Sequence, residues 1–375
     1  MRLFVGKAVI LLATGALIAA TSSTGNNTAI ATADAGWLPK DRPSFLEVHR
    51  SRRAKIVFAE GHQWAWFEQA ELSWGDLALT AGEARIDTAE GIGELSGGVL
   101  LTGRDLIVKC ERCTADAIGA EISFPAGLEG RYLKEDLSLS ADQAHLYYLP
   151  DTGEPYKTVL AGNVVLHWKP GAELHAPRVV YRFGPQTLEL TEGFQVTLAT
   201  SLLPSARDAF TGDEVEIVGE KLFVQPTETQ RGAEVVSLSG SGVTIHSMSF
   251  QAAGRSLIAK LAFPAEEGGT KKAEFLQLIL SGSATTPVTG SWLRQDGRVI
   301  EMSARRVEKL SAERFLALKG SVHLSSSEFD LSAARIELQW ERDQLKVVIP
   351  QRFRMNLTHE FIEGLSGSHP APGTS

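Results

Sequence analysis

Short runs of alternating apolar and polar residues recur along most of this chain, each joined to the next through a Gly-x-Val or Gly-x-aromatic step. The clearest copies are Leu95-Ser-Gly-Gly-Val99-Leu-Leu101, Val159-Leu-Ala-Gly162-Asn-Val164-Val-Leu166 and Leu188-Glu-Leu190-Thr-Glu-Gly193-Phe194-Gln-Val196. Later ones are Leu238-Ser-Gly240-Ser-Gly242-Val243-Thr-Ile245 and Phe315-Leu-Ala-Leu318-Lys-Gly320-Ser-Val322-His-Leu324. A strand has a side-chain period of two, so each run puts every second residue on one face of a sheet. Turn residues separate the runs at Pro150-Asp-Thr-Gly153, Phe183-Gly184-Pro185 and Gln295-Asp296-Gly297. The pattern predicts an all-β fold with almost no helix. Degenerate hairpin repeats would stack into an elongated antiparallel sheet with one continuous apolar face, possessing one or two consecutive units. Such a face suits binding or transport along its length rather than a pocket built for chemistry.

The two ends of the chain read differently. Arg2 and Lys7 precede an apolar stretch from Ala8 to Ala20, interrupted only by Thr14 and Gly15. This predicts an export signal over residues 1–33, cleaved after Ala20 or at Ala31-Thr-Ala33, or else an uncleaved anchor in an inner membrane through residues 8–20. The tail, 364–375, is rich in Gly, Ser and Pro and is predicted to be disordered. Between the ends, Leu203-Pro-Ser-Ala-Arg-Asp208 and the polar stretch Pro264–Lys272 break the alternation. A boundary near 205 gives a first β unit at 34–204 and a second at 205–363. The net charge of −8 over 375 residues disfavours a nucleic-acid backbone as partner.

From about Leu77 to Ala199 the order of elements resembles the OstA-like family of periplasmic lipopolysaccharide-transport proteins. The phrases that carry the resemblance are Leu77-Ala-Leu79-Thr-Ala81-Gly-Glu-Ala84-Arg-Ile86, Leu137-Ser-Leu139-Ser-Ala141-Asp-Gln-Ala144-His-Leu146, Ala161-Gly162-Asn163-Val164-Val-Leu166 and Leu174-His-Ala176-Pro-Arg178-Val-Val180-Tyr181. The grammar returns at Ile300-Glu-Met302-Ser-Ala304-Arg-Arg-Val307. The resemblance implies a β-jellyroll, or folded taco, of antiparallel strands that is open at both ends. It implies a periplasmic location, lipopolysaccharide or another lipid as cargo, and end-to-end joining with other envelope transport proteins or with a second copy.

Parity on the strands supplies lipid-facing candidates. Val164, Leu166 and Trp168 share a face, as do Val179, Tyr181 and Phe183. Leu188 pairs in this sense with Leu190, and Phe194 with Val196 and Leu198. The same alternation also describes a sheet face packed into a closed core.

Cys110 and Cys113 are the only cysteines. In an exported chain they read as a local disulfide or as two free thiols. Residues three apart on a flat strand point to opposite faces, so a bridge requires a turn or bulge between them. Trp64 and Trp66 share a face and read as core packing or as a lipid platform. The histidines are scattered without metal-ligand spacing, and no phosphate loop, nucleophile elbow or dinucleotide fingerprint is present. No metal, cofactor or catalytic step is expected. Ile56-Val-Phe58 and Leu345-Lys-Val347-Val-Ile349 are the expected outer edges, where unpaired backbone groups invite strand addition. The second functional reading is a structural adaptor, a β-solenoid with a filled interior that recruits envelope proteins through those edges.

Overall fold

The computed structural model describes residues 47–357, apart from 200–213, 264–273 and stretches of up to five residues. The expected export signal, the boundary near 205 and the C-terminal tail lie outside the described residues. Those described form 26 β-strands and no α-helix, and every recorded pairing is antiparallel. The chain divides into two compact units. One is Leu3–Val196 with Phe223–Pro226, and the other is chiefly Thr197–Leu222 and Thr227–Ser375.

In the N-terminal unit, strands His62–Trp74, Leu77–Asp87, Ile92–Thr102 and Leu106–Asp116 pair in chain order. The path then forks. Leu106–Asp116 carries Glu121–Phe124 on one half and Leu128–Tyr132 on the other. These pair with Gln143–Tyr148 and Leu137–Ala141 respectively, and both branches rejoin on Pro155–Trp168. The C-terminal unit repeats the device. Phe250–Phe263 carries Glu274–Ser281 and Val288–Leu293 on its two halves, and the branches rejoin on Phe315–Ser325.

What divides each long strand into halves is a corner at its middle. Four of the five glycine steps, which the sequence suggests are tight links between two strands, lie inside single strands: Ile92–Thr102, Pro155–Trp168, Ala233–His246 and Phe315–Ser325; the fifth, at Gly193, does stand between two, Thr187–Thr191 and Phe194–Ala199. At three of them two residues on one strand face one on its neighbour. Gly97 and Gly98 oppose Glu111, Gly162 and Asn163 oppose Pro177, and Gly320 and Ser321 oppose Ala334. An extra residue bends a strand and sharpens its twist. The bend at Gly162-Asn163 places both residues at positive φ, 70° and 44°, which is why a Gly and an Asn stand there.

Successive corners are tied by one recurring backbone bond. Asp142 N–H donates to Gly162 O at 2.9 Å, Glu220 to Ser241 at 2.9 Å and Arg305 to Gly320 at 3.0 Å. Asn163 Nδ2 adds a bond to Asp142 Oδ2 at 2.8 Å.

On the strand facing a bulge, the corner changes which residues point inward. Residues three apart end up on the same face, with two exposed residues between them. Ala176 and Val179 are buried while Pro177 and Arg178 are exposed. Ala141 with Ala144 and Ala304 with Val307 are buried in the same way, as are Ala81 and Ala84, between which Gly82 is half-buried and Glu83 exposed. The Ala-x-x-Ala phrase of the sequence is therefore the signature of a bend. A small first residue lets the chain pass close to the corner stacked on it.

Candidate functional site

The interior face of the N-terminal unit is the candidate site. One register row runs through eight consecutive strands: Leu72, Leu79, Leu101, Val108, Gly130, Leu139, Leu166 and Leu174. At a strand spacing of about 4.8 Å, the row extends for about 34 Å. All eight are apolar, and all but the half-buried Leu101 are buried. Across the corner, a second row joins Phe124, Ala144, Leu160, Val179 and Leu190. A third, toward the strand ends, joins Ile122, Leu146, Thr158, Tyr181 and Leu188. Both rows are buried throughout. One face of this sheet is thus covered while the other alternates into solvent, as in the buried-exposed-buried-exposed-buried pattern of Leu128–Tyr132. A one-layer sheet covers such a face by bending at its corners and laying its two halves on each other.

The parity candidates within this unit fall on this face. Val164, Leu166 and Trp168 occupy one side of the corner, and Val179, Tyr181, Leu188 and Leu190 occupy the other, all buried. Phe194 is buried too, whereas Phe183 and Val196 are half-buried; Leu198, also half-buried, belongs to the other unit. Val164, Leu166, Leu188 and Leu190 are each 0% exposed, so protein side chains fill the interior at those positions. Phe124, Leu146, Leu160 and Leu174 belong to the same face but are absent from the parity set. For Leu146, the signal that could have found it is the bend: continuing parity from Ala144 rather than from Ala141 points it inward.

Charge is kept off this face. His145 Nδ1 lies 2.5 Å from Glu121 Oε1, and Arg182 donates to Glu189 at 3.1 Å. Their neighbours in sequence are the inward residues Leu146, Tyr181 and Leu188, so these pairs lie on the outer surface. In the C-terminal unit, Glu308 alternates with the buried Val307 and accepts from Lys319 Nζ at 2.9 Å and from Arg306 Nε at 3.1 Å. The Lys319 hydrogen bond leads in holding the Glu308 carboxyl below its ordinary value. Among the described residues, no cluster of metal-ligating side chains is present.

The cysteine pair occupies a corner. Cys110 and Cys113 flank the exposed Glu111 and Arg112 opposite the Gly97-Gly98 bulge, the same arrangement as Ala176 and Val179. The bulge that a shared face requires is present, and the thiols, 9% and 5% exposed, both point inward as small apolar groups. The structure holds them as free thiols. Burial pushes Cys110 up to about 11, with the Glu111 carboxylate adding to the shift, and Cys113 up to about 12, with Cys110 adding to it. Thiolate is the reactive form, so both groups are inert near neutrality. Iodoacetamide at about pH 8 is expected to leave both unmodified in the folded protein and to modify both after denaturation without reductant. A denatured, unreduced chain that takes up no label would mean a bridged pair.

Trp64 and Trp66 are half-buried, and the Arg85 guanidinium lies 3.7 Å from the centre of the Trp64 ring. A cation seated there favours packing over an open platform for Trp64. The segments expected as edges each pair with one described strand. Glu47–Arg50 and Arg53–Ala59 both pair with His62–Trp74, and Gln344–Val348 and Phe353–Leu357 both pair with Phe329–Glu341. Phe353, Met355 and Leu357 extend the inward rows of Ala333, Leu331 and Phe329, yet are 55%, 44% and 43% exposed.

No protein-family model matches the sequence, and no curated protein matches it. Among solved structures, the chain is similar to LptH from Pseudomonas aeruginosa, described as the LptA-homologous periplasmic component of the conserved lipopolysaccharide transport device. The identity is 10% and the TM-score 0.24, over 36% of this chain and 93% of that one. A TM-score of 0.24 carries no argument about what this chain binds.

Proposed function

We propose that this chain is an exported lipid-handling protein of the cell envelope, which takes an acyl chain along its apolar interior and passes it on without chemistry. Its place is the periplasm, as one component of a bridge that moves lipopolysaccharide or a related lipid. The observation that carries the reading is the eight-strand row from Leu72 to Leu174, uninterrupted by charge. Burying an acyl chain is favourable by about 0.8 kcal/mol per CH₂ and needs no directional partner. A uniform apolar row therefore holds cargo without trapping it at one point. Because side chains fill the interior, loading parts the two halves of the sheet about their corners. A photocrosslinking residue placed at Leu166, Tyr181 or Val196 is expected to label with lipid in cells. Labelling confined to neighbouring protein side chains would sink the reading.

The complete burial of Val164, Leu166, Leu188 and Leu190 favours the second reading, an adaptor with a closed interior. In it, the exposed strands at the ends recruit other envelope proteins. Arg50, Arg52, Arg53 and Lys55 crowd one edge, and Lys346, Arg352 and Arg354 the other. At the first edge Arg50 lies 3.9 Å from Glu71 and Arg53 3.9 Å from Glu68, so part of that charge is met within the chain.

A further inference from the structure

Thr158 stands inside the apolar third row and is 1% exposed. Its Oγ1 has no hydrogen-bond partner among the described residues. Its lateral neighbours in the row are Leu146 and Tyr181, themselves flanked by Ile122 and Leu188. A buried hydroxyl without a partner is destabilising, and native folds rarely keep one. Valine would fill the same space without that cost. The position is also close to the outside. Two residues further along each strand, Tyr156 is 42% exposed and Phe183 half-buried, so the row that holds Thr158 is the first fully buried one from that end of these two strands.

We propose that Thr158, with Tyr181 beside it, forms a polar notch that holds an oxygen of an acyl ligand, the carbonyl of an ester or amide or a hydroxyl on the chain. This rests on the lipid-handling reading and adds to it a point of registration. The Thr158 hydroxyl donates to the ligand oxygen, or accepts where the ligand bears a hydroxyl. Burial raises the Tyr181 phenol well above its ordinary value, which keeps it protonated as a second donor. Tyr181 is itself held edge-on against Phe183 at 5.0 Å between ring centres. The apolar row anchors the hydrocarbon, and the notch fixes how far it slides.

The test is competition against the apolar dye N-phenylnaphthylamine, using methyl laurate and a hydrocarbon of equal length on the full chain. The wild type is expected to prefer the ester by about tenfold, the worth of one buried hydrogen bond. Thr158→Val should abolish most of that preference and Tyr181→Phe part of it, each read as the ratio of ester to hydrocarbon affinity within the same variant. Without ligand, Thr158→Val should melt at the same temperature as the wild type or higher. A lower melting temperature would mean that the hydroxyl already has a partner, and would overturn the notch. An undiminished ester preference in Thr158→Val overturns the notch and leaves the lipid reading standing. If the wild type binds neither dye nor ester, the lipid reading falls and the notch with it.

Discussion

Gly82→Ala is expected to cost about 2–3 kcal/mol, a fall of roughly 4–12 °C in melting temperature for a unit of this size. A methyl group at Gly82 would sit 2.7 Å from the carbonyl oxygen of Gly97, 3.2 Å from its Cα and 3.3 Å from the carbonyl oxygen of Ser96. All three are backbone atoms of the adjacent corner, so no side chain can rotate away. Relief requires the two strands to separate where they bend, which weakens the ladder on both halves. Gly93→Ala is the control. It lies in a neighbouring strand with nothing within 4 Å of the added methyl, and is expected to be neutral within about 0.5 kcal/mol. Thermal melts of the two variants, followed by circular dichroism, give the comparison. Equal melting temperatures would mean that the stacked corners are not the close contact described.

Leu166→Ala is expected to cost about 2–5 kcal/mol. Its side chain is fully buried between Leu139 and Leu174 on the adjoining strands, so truncation removes buried surface and leaves a cavity. Leu198→Ala, at a half-buried position, should cost less than half as much. Urea denaturation measures both. A loss below about 1 kcal/mol at Leu166 would mean that the interior yields easily at its centre, a result that favours an openable lipid path over a packed adaptor core.

The strands and their facing were readable from alternation alone. Val164-Val-Leu166-His-Trp168 and Val179-Val-Tyr181 point where parity puts them, because a period of two survives any sheet that has one covered side. The meaning of the glycine steps was not readable. Gly162-Asn163 looks the same in sequence whether it reverses the chain between two strands or bends one strand in its middle. Only pairing partners on the neighbouring strand, Ala161 with Arg178 and Val164 with Ala176, distinguish the two. For the cysteines the sequence states the condition, a turn or bulge, but not whether the fold supplies it. Parity counted along a flat strand sets Cys110 and Cys113 apart, and the bend beside them reunites them. Thr158 gave no signal at all. A threonine in a strand is ordinary, and its lack of a hydrogen-bond partner is a property of its surroundings, which no local pattern encodes.

The mid-strand bend has a mechanical consequence. Because each long strand belongs to both halves of its sheet, the covalent chain ties the halves together at step after step along the fold line. Sliding one half past the other would stretch that backbone, whereas swinging them apart only changes a few dihedral angles at glycines such as Gly162 and Gly320. Each unit is thus built like the binding of a book, stiff against shear and compliant to opening.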